Sequence, residues 1–264
     1  MLTRENYFSP ENEMKYFGST QFKSFQECES MTMARIRGDY APEPSTALLV
    51  GQYVDSHFEG TLDLFQAQHP EMFKRDGSLK SEFLLAEDVI TRMEGDDMFM
   101  KYAAGGEEQV IMTAKLFGHD FKIRIDNYHP GKAIVDRKVM RDFEPVYKEG
   151  MGKVNFAIAW GYDIQGAIYQ AVEHQWQLDH GNRTAEPLPF ILAGATKQKD
   201  GPDLGLFRLP QVWLDSALKI VEHYIDHFAD VKTGLIEAER CEKCSWCRQT
   251  KVLRTVTTLE EINE

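Results

Sequence analysis

The chain has no long apolar run, few cysteines and fewer bases than acids, and each shortage removes a class of protein. Across its 264 residues no stretch approaches membrane-spanning length, and residues 1–7 lack the apolar core of a secretion signal. A soluble, cytoplasmic protein with no membrane partner is expected. Thirty Lys and Arg face 42 Asp and Glu, for a formal charge of −12. That excludes a generic nucleic-acid coat, which would be basic overall. There is no internal repeat, no low-complexity segment and no linker obvious enough to split the chain into two domains. What is present is an ordinary globular composition, 42% hydrophobic and 27% charged, long enough to bury a substantial core.

Charge is uneven. From Lys115 to Lys153 nine Lys and Arg stand against six Asp and Glu, which leaves −15 for the rest. A basic island in an acidic body suits a protein that touches a phosphate backbone locally. Residues 1–43 read as an irregular or weakly helical lead-in, with a short amphipathic helix opening near Tyr16–Phe25. Ser45 or Thr46 caps a helix running to about Glu59, because Leu48, Leu49, Tyr53 and Phe58 fall at helical spacing. A second helical stretch covers 79–103 and ends at Gly105-Gly106. Strands follow at 109–115 and 121–126, turned by Gly118-His119. Beyond them come a helix over about 155–175, strands at 188–195 and 204–209, and a closing amphipathic helix from Pro210 to about Phe228. The order predicts an α/β fold, a mixed central sheet flanked by helices on both faces. The boundaries expected are a lead-in over 1–43, a core over 44–230 and a cysteine-bearing segment over 231–264.

The most informative stretch runs from Phe121 to Lys138. Pro130-Gly131 is strong turn chemistry, and its flanks carry β-branched residues in near alternation, so an antiparallel hairpin is expected. Centred on Gly131, Asp126 falls opposite Asp136 and Arg124 opposite Lys138, and Asp126, Asp136 and Lys138 project from one face. Like charges facing each other across a ladder are destabilising. Such a pair calls for a cation between its members, and carboxylates around a divalent ion with a lysine beside it equip metal-assisted phosphodiester hydrolysis. Arg137 interrupts the apolar face opposite, which leaves a bulge in the register open. Gln165 and Tyr169, four apart on one helix, reach the same point and could hold a phosphate or a nucleotide edge. Read alone, they are equally a buried tyrosine bonded to its neighbour. His57 and Glu59 read as solvated, and Glu107 and Glu108 as a charged strand entry or a further metal ligand.

In this order, four pieces resemble the PD-(D/E)xK nuclease superfamily and, within it, the RecB/RecE-like phage-type recombination exonucleases. Residues 51–55 are similar to an early helix that usually presents histidine where this chain has Asp55. Residues 118–126 match the strand ending in a metal-binding aspartate, 134–138 match the D/E-x-K strand, and 162–169 match a Q-x-x-x-Y helix. The resemblance covers about residues 45–175 and implies a restriction-endonuclease-like core. It further implies a Mg²⁺- or Mn²⁺-dependent DNA exonuclease of recombination or repair, acting on linear duplex or single strands. The ligands implied are Asp126, Asp136 and the carbonyl of Arg137, completed by Asp55, with Lys138 orienting the attacking water. A single-strand-annealing partner and an oligomer are compatible with it. An endonuclease of the same superfamily and a catalytically idle DNA-binding or assembly module remain open.

All four cysteines are accounted for. Cys241, Cys244 and Cys247 form a C-x2-C-x2-C run, and Cys28 lies near the other end. In an intracellular chain, such clustering points to metal rather than disulfides. The compact run is closer to iron–sulfur ligation than to paired zinc knuckles. Some RecB-like nucleases carry an iron–sulfur staple with one cysteine before the core and three after it. The resemblance therefore implies a 4Fe–4S cluster, with zinc as the alternative.

Overall fold

The computed structural model describes residues 2–256 and 258. The N-terminal segment is more helical than its sequence suggests: α1 (Pro10–Lys15), α2 (Ser19–Glu27) and α3 (Glu29–Arg37). Their aromatic and aliphatic side chains, Phe17, Phe22, Phe25, Met33 and Ile36, join the main core, so no separate lead-in core forms before residue 43. Ser45 caps α4 (Thr46–Phe58), its hydroxyl accepting from the Leu48 N–H at 3.2 Å. The helical stretch expected at 79–103 is two helices, α6 (Ser81–Glu94) and α7 (Asp97–Ala103), preceded by α5 (Leu62–Gln68). The break falls at Gly95-Asp96, where the Asp96 side chain caps α7.

Three strands follow, β1 (Glu107–Leu116), β2 (His119–His129) and β3 (Ala133–Met140). The Pro130-Gly131 turn joins the last two, with Gly131 at φ +67° in the left-handed region that glycine tolerates. A small hairpin, β4 (Val146–Lys148) and β5 (Gly152–Val154), was not legible in the sequence. The helix expected at 155–175 is broken by Gly161, at φ +64°, into α8 (Phe156–Ala159) and α9 (Tyr162–Asp179). β6 (Phe190–Thr196), β7 (Leu204–Arg208), the long α10 (Gln211–Thr233) and α11 (Ser245–Gln249) complete the chain.

The central sheet has the order β1-β2-β3-β6-β7, antiparallel except for the parallel β3–β6 pair. One face carries Phe121, Ile123, Ile125, Ile134, Phe190 and Leu192 against the N-terminal helices, α9 and α10. The other carries Ala133, Val135, Ala193 and Ala195 against α4, α6 and α7. This is the mixed sheet with helices on both faces that the sequence predicts, and its consequence is mechanical. β2, β3, α4 and α9 are each fixed by a buried face, so the polar side chains they carry are held where the elements meet.

Candidate active site

The β2–β3 ladder has the expected register, pairing His129 with Ala133, Tyr128 with Ile134 and Asn127 with Val135. It stops there, one pair short of Asp126 and Asp136. Where the next rung would lie, the Arg137 backbone N–H donates to Asp126 Oδ2 at 3.0 Å. The carboxylate replaces a strand carbonyl, and the two strands part at the acidic pair. A cleft of about 550 Å³ opens at this point. Asp55, Asp126, Asp136, Lys138, Gln165 and Tyr169 all line it, so the residues expected to converge do converge.

Lys138 occupies the middle of the arrangement. Its ammonium lies 2.5 Å from Asp136 Oδ2 and donates to the Arg137 carbonyl at 3.1 Å. Those are two of the oxygens that the family resemblance implies as metal ligands, and here a protein cation bridges them. Burial opposes the charge on Lys138, but the Asp136 and Asp126 carboxylates override it and hold the ammonium above its ordinary value. Asp136 is 2% exposed, and burial pushes its carboxyl up even with Lys138 beside it. Its Oδ1 accepts from Gln165 Nε2 at 2.7 Å, whereas Oδ2, buried, has no partner of hydrogen-bonding geometry. Tyr169 donates to the Arg124 carbonyl at 2.9 Å. Gln165 Nε2 and the Tyr169 hydroxyl thus brace Asp136 and β2, while both side chains line the cleft.

Arg137 faces the other way. Its side chain is 1% exposed and donates to the Ala103 carbonyl at 2.8 Å, with Asp55 at 3.4 Å and Glu108 at 3.5 Å. The interruption of the apolar face is therefore a buried counter-charge, not a bulge. Glu108 serves this arginine, and His57 pairs with Glu94 on the surface. Asp55 stands at the rim, its side chain 38% exposed. Burial and then the Asp126 charge push its carboxyl up to about 7. Two neighbours escaped the sequence. Tyr7 and Phe8 cover Arg124, whose guanidinium lies 5.6 and 5.2 Å from the two ring centres. With more than 110 residues between them, local pattern carried no signal of that contact.

The donor set fits a divalent ion such as Mg²⁺ or Mn²⁺: three carboxylates and a main-chain carbonyl, all hard oxygens, two of them already bridged by the Lys138 ammonium. Among the described residues the acidic trio is more open than the cysteine group. All four cysteine sulfurs lie within 4.8 Å of one another, and no acidic group matches this.

The family model for a PDDEXK-like domain of unknown function (DUF3799) matches residues 18–250. The chain belongs to this PDDEXK-like family. Among solved structures, this PDDEXK-like chain is similar to the "Putative exonuclease" of Eubacterium rectale, at 42% identity and a TM-score of 0.92 over 99% of this chain and 98% of that one. The structure of SSO0001 is matched over 78% of this chain and 84% of its own at 14% identity, but its TM-score of 0.28 carries no argument. No curated protein matches. No helix among the described residues is long and apolar enough to cross a membrane.

Proposed function

We propose that this PDDEXK-like chain is a metal-dependent deoxyribonuclease, an exonuclease that hydrolyses phosphodiester bonds from the ends of linear DNA in recombination or repair. The observation that carries the reading is the Lys138 ammonium held between Asp136 and the Arg137 carbonyl, with Asp126 and Asp55 alongside. The similarity to the Eubacterium rectale protein supports the exonuclease class.

Asp126, Asp136, the Arg137 carbonyl and Asp55 are the oxygens that would hold Mg²⁺ or Mn²⁺. When bound, such an ion activates a water and offsets charge growing on the phosphoryl oxygens. The chain's own groups do the rest. Lys138 keeps its proton on Nζ and, displaced from the Arg137 carbonyl, donates to the water or to a phosphoryl oxygen. Gln165 fixes the orientation of Asp136, and Tyr169 fixes the β2 backbone through the Arg124 carbonyl. Arg35 and Arg124 line the same cleft and offer positive charge to the flanking phosphates. Residues 44–230 carry all of this machinery except Arg35, which α3 supplies. The free cysteines suit the reducing cytoplasm, and a single-strand-annealing protein is the partner that this chemistry would serve.

The test is digestion of end-labelled linear duplex with Mg²⁺ against EDTA, with closed circular plasmid in parallel. Release of nucleotides from the linear form alone, lost with EDTA, is expected. Cutting of the closed circle would replace exonuclease by endonuclease, and inert linear DNA at every metal tried would remove the enzymatic reading.

A further inference from the structure

The family resemblance implies a 4Fe–4S cluster at the cysteines, and the cysteines of this chain do not fit one. The sulfurs are too close together. Cys28 Sγ lies 3.6 Å from Cys247 Sγ and 3.8 Å from Cys244 Sγ, and all four sulfurs lie within 4.8 Å of one another. In a cubane cluster each cysteine binds a different iron at a separate corner, which places the sulfurs roughly 6 Å apart. Four thiolates on a single ion, each about 2.3 Å from it at the corners of a tetrahedron, stand about 3.8 Å apart. The two close pairs match that edge, and the widest pair exceeds it by no more than about 1 Å, whereas a cubane requires every pair to open. The separations are also far beyond a disulfide bond, and all four thiols are free.

From this geometry we infer that Cys28, Cys241, Cys244 and Cys247 form a closed, mononuclear tetrahedral site for a soft divalent ion, zinc being the fitting metal. The surroundings suit a structural site. Backbone N–H groups of Met31, Cys244 and Cys247 donate to the sulfurs of Cys28, Cys241 and Cys244 at 3.3–3.4 Å, which stabilises thiolates. Four thiolates and a divalent ion carry two net negative charges. Arg240 stands beside them, donating to the Cys247 carbonyl at 2.7 Å. No position is left open for a substrate, so the site's work is mechanical. It ties the segment after α10 to the start of α3, where Ser30 N–H already donates to the Glu239 carbonyl and Trp246 Nε1 donates to Ser30.

The test is elemental and sulfide analysis of the full chain, expressed with both iron and zinc supplied, purified anaerobically and dialysed against Mg²⁺. The expected result is colourless protein with one zinc per chain and no acid-labile sulfide. Exchange into Co²⁺ should give the visible bands of a tetrahedral tetrathiolate. Cys241→Ser should lose the ion and those bands, while Asp126→Asn keeps both, which separates this site from the acidic one. Brown protein with about four iron and four sulfide per chain would overturn the inference. So would metal-free protein with its thiols paired as disulfides, or zinc retained by Cys241→Ser and lost from Asp126→Asn. Each result is read without any nuclease assay, so the inference stands or falls apart from the proposed activity.

Discussion

The molecule carries two clusters of potential ligands that differ in nearly every physical respect. The acidic cluster is hard, wide and open to a cleft, and protein cations already sit among its members. The cysteine cluster is soft and tight, with two of its four residues buried. An open oxygen set leaves room for water and substrate beside an ion, as chemistry requires. A closed sulfur set holds an ion and nothing else. The difference also shows in what keeps each cluster together. Like-charged carboxylates must be restrained by rigid strands and by Lys138 and Arg137. The cysteines come from segments far apart in the sequence, which hydrogen bonds from Ser30 to Glu239 and from Trp246 to Ser30 already hold side by side.

The sharpest way to break this contrast is Lys138→Ala. If the acidic cluster is the chemical one, digestion of linear DNA should fall about 10³-fold, the order expected for removing a charge aimed at the reacting phosphoryl group. The melting temperature should fall as well, because the buried Asp136 loses the cation beside it, so both proteins are assayed well below their melting points. An unchanged rate would end the assignment. The counterpart is Cys247→Ser, which should unfasten the chain ends with little change in the rate constant measured well below its melting point. By analogy with a crosslink closing a loop of about 200 residues, the loss is about 5 kcal/mol, or roughly 10 °C in melting temperature for a chain this size. Loss of cleavage without loss of stability would place the cysteines in the chemistry instead.

How far the sequence reveals each cluster follows the same division. The hairpin, the facing of Asp126 and Asp136 and the projection of Lys138 were readable because a turn and a two-residue period fix them locally. The role of Arg137 was not. Its partners Asp55, Ala103 and Glu108 come from three other elements, and nothing in a one-strand pattern names them. The N-terminal helices were underestimated because Phe17, Phe22 and Phe25 find their apolar partners on β2 and α10, beyond any local window. The cysteine spacing pointed to a group able to hold metal, and the four sulfurs do gather, but spacing along the chain says nothing about sulfur-to-sulfur distance in space. It therefore left iron–sulfur and zinc both open.

A smaller effect tests whether Gln165 braces the acidic cluster or merely fills space. Its amide is the hydrogen-bond partner of Asp136 Oδ1. Gln165→Leu conserves much of the volume and removes that bond. The apparent Mg²⁺ affinity in a digestion assay should weaken about 10- to 100-fold, as for other groups that orient a metal ligand, with saturating Mg²⁺ restoring most of the rate. A fall in rate that saturating Mg²⁺ leaves untouched would give Gln165 a direct role at the phosphate.

The smallest effect is a pH dependence of the metal-free protein centred on Asp55. Burial and the nearby Asp126 charge push this carboxyl up to about 7, whereas an unfolded chain leaves it near ~3.9. Between those values the folded state holds a proton that the unfolded state has lost. Native stability therefore falls as pH rises through that window, from full strength near pH 4 to its minimum above about pH 7. Asp55→Asn removes the titration, so without metal the variant should melt above the parent at pH 8 and close to it at pH 4. Because the side chain is 38% exposed, solvent screens much of the effect, and the gap should be no more than a few degrees. Mg²⁺ should narrow it, since an ion among these oxygens turns a repelled carboxylate into a ligand and binds the parent better than the amide. A gap that Mg²⁺ leaves unchanged would mean that Asp55 shares the field of the acidic cluster without sharing its ion.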